Sequence, residues 1–410
     1  MDLLKDLGDD DDVLVKRSDK CKGMVVLPKR EYVRKAGLIT ADYETVAKNP
    51  TPKLAQTKRV IKTTLSGKVP DKIVKSVIPS GSRTAELYGL PKTHKPDTPL
   101  RPIVSACGDP LDKLAWLLER IISQLLSFVP AHLTNTQDYL QRISSQFPHG
   151  LPQGSIFFSV DVANLYGNIP TNEAVKATLR LIERHIDNID TFGLTSHDIE
   201  SLLDHCLNNS YVRFGDKYFK QTVGVAMGSR IAPPLAIIFM DAIESLILTS
   251  PNSQFQPVTN MHYIDDVLGI WTHGSDKLDE YFHFLNSFHP ALKFTIERTD
   301  KTPNSSIPFL DTLITVQDND TYTTELYIKP MAAPIIIHYT SAHPMQCKRS
   351  VLHSQLLRAK RVGSNREAQQ RGMAMMEALF RHNGYPNRLI QRTKHKILYH
   401  DNSNRTQKTT

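Results

Sequence analysis

Residues 262 to 271 read "HYIDDVLGIW", two adjacent carboxylates set into an otherwise apolar run. The run predicts two strands around a tight turn, with Ile264, Val267, Leu268, Ile270 and Trp271 on the buried side. An unpaired charge drawn into such a sheet is expensive. Taken alone, Asp265 and Asp266 describe nothing more than a solvated turn. Drawn into a sheet, they call for a divalent cation, and a hard ion such as Mg²⁺ takes oxygen ligands. Two ions about 3.5–4 Å apart need a further carboxylate to bridge them.

Asp161, in "FFSVDVANLYGNIP", is the best candidate for that third acid. Alternation along a strand packs Val160 and Val162 inward and points Asp161 out, with small and turn-forming residues following it. Its plainer reading is an aspartate that ends a strand and caps the next turn. One carboxylate on a strand and two on a neighbouring hairpin is the two-metal arrangement of nucleotidyl transfer.

The rest of the chain fits a large globular protein. Its 410 residues are 40% hydrophobic and 22% charged, enough for two or three subdomains. Net charge is +8 with a pI near 9.1, which favours a polyanionic partner. Val351 to Thr410 alone holds twelve Lys or Arg against three Asp or Glu, more than the whole excess. Cys21, Cys107, Cys206 and Cys347 are far apart, so neither a zinc site nor a disulfide framework is suggested. The acidic N-terminus lacks a signal-peptide pattern. The longest apolar stretch, "IAPPLAIIFMDAIESLIL", is interrupted by two prolines, Asp241 and Glu244, so a soluble chain is expected.

Along the chain, a polar join at 47–58 precedes a helix over 108–129, with Asp109 as N-cap, Pro110 in the first turn and an apolar stripe from Leu111 to Leu125. A strand follows at 156–165, then two amphipathic helices. Next come a hairpin about Gly215-Asp216, a helix after the prolines at 233–234, and the opening strand pair. This succession is α+β, without regular βαβ alternation.

Six blocks in fixed order, "LYGLPKTHKPDTPLRPIVS", "SVDVANLYGNIP", "QTVGVAMGSRIAPPLA", "HYIDDVLGIW", "IPFLDTLI" and "LYIKP", closely resemble the reverse transcriptases of Penelope-like retroelements, relatives of telomerase catalytic subunits. The likeness runs from about Ser18, where "SDKCKGMVVLPKREYVRKA" also fits, to about residue 400. It implies a right-hand polymerase: N-terminal extension 1–58, fingers 59–150, palm with an antiparallel sheet and the catalytic carboxylates 151–320, and a basic helical thumb and tail 321–410. It implies two Mg²⁺ or Mn²⁺ ions, an RNA template, a DNA primer, dNTPs, no membrane, and an intracellular protein that acts in the nucleus.

Residue by residue, the resemblance makes Asp161, Asp265 and Asp266 the catalytic metal ligands, with the backbone carbonyl of Val162 beside them. Lys92 and Arg101 match residues that hold the incoming triphosphate, with Lys95 able to stand in for Lys92; a guanidinium grips phosphate through two bonds, an ammonium as a point charge. Tyr166 matches the bulky residue under the sugar that excludes a ribose 2′-hydroxyl, and Gly228 the loop that approaches the nascent base pair. Lys301 is a candidate general acid. Lys348, Arg349, Arg358, Lys360 and Arg361 would meet duplex phosphates, although a basic helix also suits a membrane surface or an acidic partner. Arg230 stands where a proline is common in the family, and Met227 where many reverse transcriptases carry Gln. No GIY-YIG endonuclease motif follows, which fits either a lineage without one or a truncated copy. The rival readings are an RNA-templated RNA polymerase and an inactive nucleic-acid-binding descendant.

Overall fold

The computed structural model describes residues 12–406 apart from 21–22, 42, 51–52, 80–82, 252–253, 301, 303, 318 and 331–335. In chain order, β1 (Val13–Arg17), β2 (Met24–Pro28), α1 (Lys29–Ile39) and β3 (Tyr43–Val46) lead to α2 (Lys53–Leu65) and α3 (Asp71–Val77). Then come β4 (Ala85–Pro91), β5 (Leu100–Ser105), α4 (Asp112–Ile122) with a 3-10 turn Ser123–Phe128, and α5 (Thr136–Gln146). β6 (Ile156–Val162), α6 (Leu165–Asn168), α7 (Thr171–Arg184) and α8 (Ser196–Asn208) precede the β7 (Tyr211–Phe214) and β8 (Lys217–Gln221) hairpin. α9 (Ala232–Thr249), β9 (Thr259–Tyr263), β10 (Asp266–Trp271), α10 (Ser275–Phe288) and β11 (Phe294–Arg298) follow. β12 (Ser306–Phe309), β13 (Thr312–Val316), β14 (Tyr322–Leu326), α11 (Met345–Val362), α12 (Arg366–His382) and α13 (Asn387–Thr406) complete the chain.

The acid-bearing sheet has strand order β11-β6-β10-β9, antiparallel throughout. Alternation gives it two buried faces. Val160, Val162, Val267 and Trp271 pack with α9 and α10; Phe157, Leu268 and Ile270 pack against β12–β13 and α5. Gly269 sits where a Cβ would fall 2.2 Å from the Phe158 ring, its cross-strand neighbour. Despite Asp241 and Glu244, α9 is long and apolar enough to cross a membrane by length and composition alone. Here it separates two cores, Leu235, Ile237 and Ile238 on one side and Phe239, Met240 and Ile243 on the other.

A second sheet, β3-β8-β7-β4-β5, gathers strands from both ends of the first half of the chain. It crosses the expected boundaries: β3, from the supposed N-terminal extension, pairs with β8, from the supposed palm. The Tyr32 hydroxyl further ties α1 to Gly89, accepting its N–H at 2.8 Å. The expected hairpin is present, with Phe214 opposite Lys217 and Gly215 at φ +58°. Asp109, expected as an N-cap, lies three residues ahead of α4 and accepts instead from Leu111 N–H (2.8 Å) and Ala85 N–H (3.2 Å). It is a strut between loop and sheet because Pro110 and Leu111 form a turn before the helix starts.

Candidate active site

Antiparallel register sets Asp266 directly opposite Asp161. Tyr263 opposite Asp266 closes a two-residue loop, Ile264-Asp265, and the Val162 N–H donates to the Asp265 carbonyl at 3.1 Å. Asp161 and Asp266, 105 residues apart in sequence, are thereby carried on paired backbone positions with Asp265 next to them. Like charges directly opposite in a sheet destabilise it. Asp266 is pushed up to about 6 by burial, then by Asp265 and Asp161. Asp161 is raised by burial and then by Asp265, while Lys20, Lys95 and Lys329 pull it back.

The turn itself is strained. Ile264 has φ +61°, a region that β-branched residues avoid and that costs of order 1–3 kcal/mol. Its half-buried side chain packs against both neighbouring cores, which holds the conformation in place. The hairpin is pinned from below as well: buried His262 Nδ1 lies 3.0 Å from the Glu244 carboxylate on α9. Its backbone bonds to Ala131 and Leu133 (2.8 Å each) cover the outer edge of β9.

Among the described residues no three His, Cys, Asp or Glu side chains converge closely enough to hold an ion as they stand. What the register assembles is their backbone positions. The donor set is all carboxylate oxygen, suited to a hard divalent cation, and the repulsion within it is the kind that a cation relieves.

Tyr166, on α6, borders this site: its hydroxyl is pushed up to about 12 by burial, then by Asp265 and Tyr263. Its carbonyl accepts Val225 N–H at 2.7 Å, anchoring one end of the "TVGVAMG" loop. The other end is anchored at β5, where Val104 N–H donates to Met227 at 2.8 Å. Gly228, at φ +126°, is required there, since a Cβ would fall 2.0 Å from the Val104 carbonyl. Gly228 thus lets its loop approach a protein strand closely. Arg230 reaches Asp112 of α4 at 2.9 Å, which gives the departure from proline a structural role.

Lys92 and Arg101 come together at the β4–β5 end. Lys92 is held below the ordinary lysine value by burial, then by Arg101 and Lys95. Arg101 has a partner that sequence reasoning missed: its Nε donates to the buried Asp19 carboxylate at 3.1 Å. Nothing in the spacing links residues 19 and 101. Lys20, next to that aspartate, and Lys329, after β14, act on Asp161 and Asp266. Lys301 lies outside the described residues.

Three of the five cations expected to meet phosphate are engaged within the protein. Lys348 is buried, with Nζ donating to the Ser341 carbonyl at 2.7 Å. Arg358 pairs with Asp311, and Lys360 donates to the Ile397 carbonyl at 3.2 Å. Helical packing turned Lys348 inward, whereas Arg358 is exposed and held by its ion pair. Arg349, beside Gln346, Ser350 and His353 on an open groove, and Arg361 remain exposed.

The fold resembles solved structures. The telomerase of Candida albicans, solved with a fragment of telomeric RNA, aligns over 97% of this chain and 65% of its own, with TM-score 0.59 and 12% identity. The apo telomerase of Candida tropicalis aligns over 94% and 65%, with TM-score 0.56 and 11% identity. The chain thus spans about two thirds of those proteins' length, and its mixed α/β fold is polymerase-like. A family model described as an animal helix-turn-helix domain matches residues 335–395, the region of α11, α12 and part of α13. No curated protein matches the chain.

Proposed function

We propose that this chain is an RNA-directed DNA polymerase of a Penelope-like retroelement. It extends a primer 3′-hydroxyl with deoxynucleotides on an RNA template. The observation that carries the reading is the cross-strand pairing of Asp161 with Asp266, with Asp265 in the intervening turn. Asp161, Asp265 and Asp266 would hold two Mg²⁺ or Mn²⁺ ions, with the Val162 carbonyl as a further ligand. When bound, such ions favour attack of the primer oxygen on the α-phosphorus and departure of pyrophosphate.

The chain's own groups supply the rest. Lys95 acts on Asp161, and Lys92 and Arg101 lie with Lys95; the three would supply positive charge for a triphosphate. Tyr166, which feels the charge of Asp265, would set its ring against a ribose 2′-hydroxyl. In this reading β4–β5 with β7–β8 form fingers, the acid-bearing sheet the palm, and α11–α13 the thumb. The likeness in fold to the Candida telomerases supports the assignment.

The test is primer extension on poly(rA)/oligo(dT) with Mg²⁺, comparing dTTP with UTP and the wild type with Asp265→Ala. Metal-dependent incorporation of dTTP, little of UTP, and loss of both in the variant are expected. Binding of primer–template without any addition would leave a nucleic-acid-binding protein as the better account. Efficient UTP use would leave an RNA polymerase.

A further inference from the structure

The N-terminal turn Ser18-Asp19-Lys20 is built onto the β4–β5 loop by several independent bonds. The Asp19 N–H donates to the Pro91 carbonyl at 2.8 Å, and the Ser18 hydroxyl lies 2.8 Å from that of Thr93. Both residues are buried, and the Asp19 carboxylate is 8% exposed. A buried carboxylate facing one guanidinium fixes that guanidinium tightly. The bond to Asp19 runs from Arg101 Nε and not from the two terminal nitrogens.

Lys20 follows at φ +64°, a left-handed conformation that a lysine adopts at some cost. It is exposed and makes no hydrogen bond or ion pair among the described residues. Its charge is felt at Lys92, at Asp161 and at Asp266. Asp19 compensates Lys92 and Arg101, while Lys20 and Lys95 bring positive charge to Asp161.

We propose that this turn completes a polyphosphate-binding site: Lys20 contacts the triphosphate of the incoming nucleotide, and Asp19 is a positioning residue that keeps the terminal nitrogens of Arg101 turned toward it. This deepens the polymerase reading and rests on it for the identity of the ligand. The site itself can be probed without catalysis or metal.

The probe is inorganic tripolyphosphate, titrated calorimetrically into the full chain at low salt without divalent cations. Lys20→Ala should weaken binding about tenfold, the loss of one charge-assisted hydrogen bond. Lys20→Arg should restore it, and Lys72→Ala, on the exposed face of α3, should leave it unchanged. Asp19→Asn separates positioning from bare charge. Removing an anion beside the site would strengthen polyphosphate binding on electrostatics alone, whereas loss of the Arg101 geometry weakens it. In an Arg101→Ala background Asp19→Asn should have no further weakening effect. In primer extension, Lys20→Ala should raise the KM for dTTP about tenfold with kcat and primer–template affinity unchanged.

Unchanged tripolyphosphate affinity in Lys20→Ala, or no binding by the wild type, overturns the role of Lys20 whether or not the protein polymerises. Tighter binding in Asp19→Asn overturns the positioning role. Lys20-dependent binding in a protein that adds no nucleotide would retain the anion site and sink the polymerase.

Discussion

The acid-bearing sheet and the C-terminal helices treat charge in opposite ways. On β6 and the β9–β10 turn, three carboxylates are carried on neighbouring backbone positions, and Asp266 and Asp161 are raised by burial and by their neighbours. In α12 and α13, buried Glu377 collects Lys394, Gln391 and Arg381 around it. Burial alone would raise Glu377, but those hydrogen bonds and cations bring it below the ordinary value. Arg358–Asp311 and Arg371–Glu325 extend the same pattern between the helices and the β12–β14 sheet. Paired charge holds the helices together. Among the described residues the acids on the sheet have no such partners close by: burial and their mutual repulsion raise Asp266 and Asp161, and only the more distant lysines pull them back.

The two regions therefore answer pH with opposite signs. Between the ordinary aspartate value of 3.8 and about 6, the folded chain binds the Asp266 proton more tightly than the unfolded chain does. Stability from this group consequently falls as pH rises through that window, and the penalty is complete above it. Glu377, lowered from 4.5, contributes stability that is present above that value and lost as pH falls through its folded value.

Asp266→Asn breaks the comparison most sharply. Primer extension should fall at least about a thousandfold, about 4 kcal/mol of barrier. The same variant should be more stable than the wild type at pH 7 without metal, by about 1–2 kcal/mol once partial exposure is allowed for. The gain should disappear near pH 4 in chemical denaturation. Mg²⁺ should stabilise the wild type more than the variant. A variant that is both inactive and destabilised at pH 7 would show that Asp266 is structural.

Glu377→Gln should act in the other direction, destabilising α12–α13 by about 1–2 kcal/mol, a figure reduced because Arg381 and Lys394 keep some solvent. Hydrogen exchange resolved by segment is the measurement. Faster exchange confined to α12–α13 at pH 7, converging with wild type as the pH falls below 4.5 and through the lowered folded value, is expected. Equal exchange in the two proteins at pH 7 would mean that the cations around Glu377 contribute nothing.

How much of this was legible in the sequence depends on range. Alternation about Asp161 and the apolar run after Asp266 fixed which residues face inward, because strand periodicity is local. The hairpin at Gly215-Asp216 was equally local. The Asp19–Arg101 pair spans 82 residues and carries no periodic signal. The joining of β3 to β8 was hidden for the same reason. The C-terminal basic run misled in another way. Counting cations ignores where a helix buries its inner face, and Lys348 lies on that face with its ammonium bonded to a carbonyl. Asp109 shows the limit of cap signatures: an aspartate before a proline suits a turn as well as an N-cap.

The smallest effect asks which basic residues of the helices are available to a nucleic acid. Each exposed cation that meets a phosphate adds about one unit to the salt dependence of binding. Arg349→Ala and Arg361→Ala should each reduce the slope of log K against log salt by about one for a primer–template duplex, with melting unchanged. Lys348→Met should leave the slope as it is and lower the melting temperature, since its ammonium bonds Ser341 and lies 5.6 Å from the centre of the Tyr339 ring. If Lys348→Met instead flattened the slope as much as Arg349→Ala, the ammonium would have to leave its internal partner on binding. The helices would then release paired charge to the ligand, and the contrast with the acid-bearing sheet would hold only for the free protein.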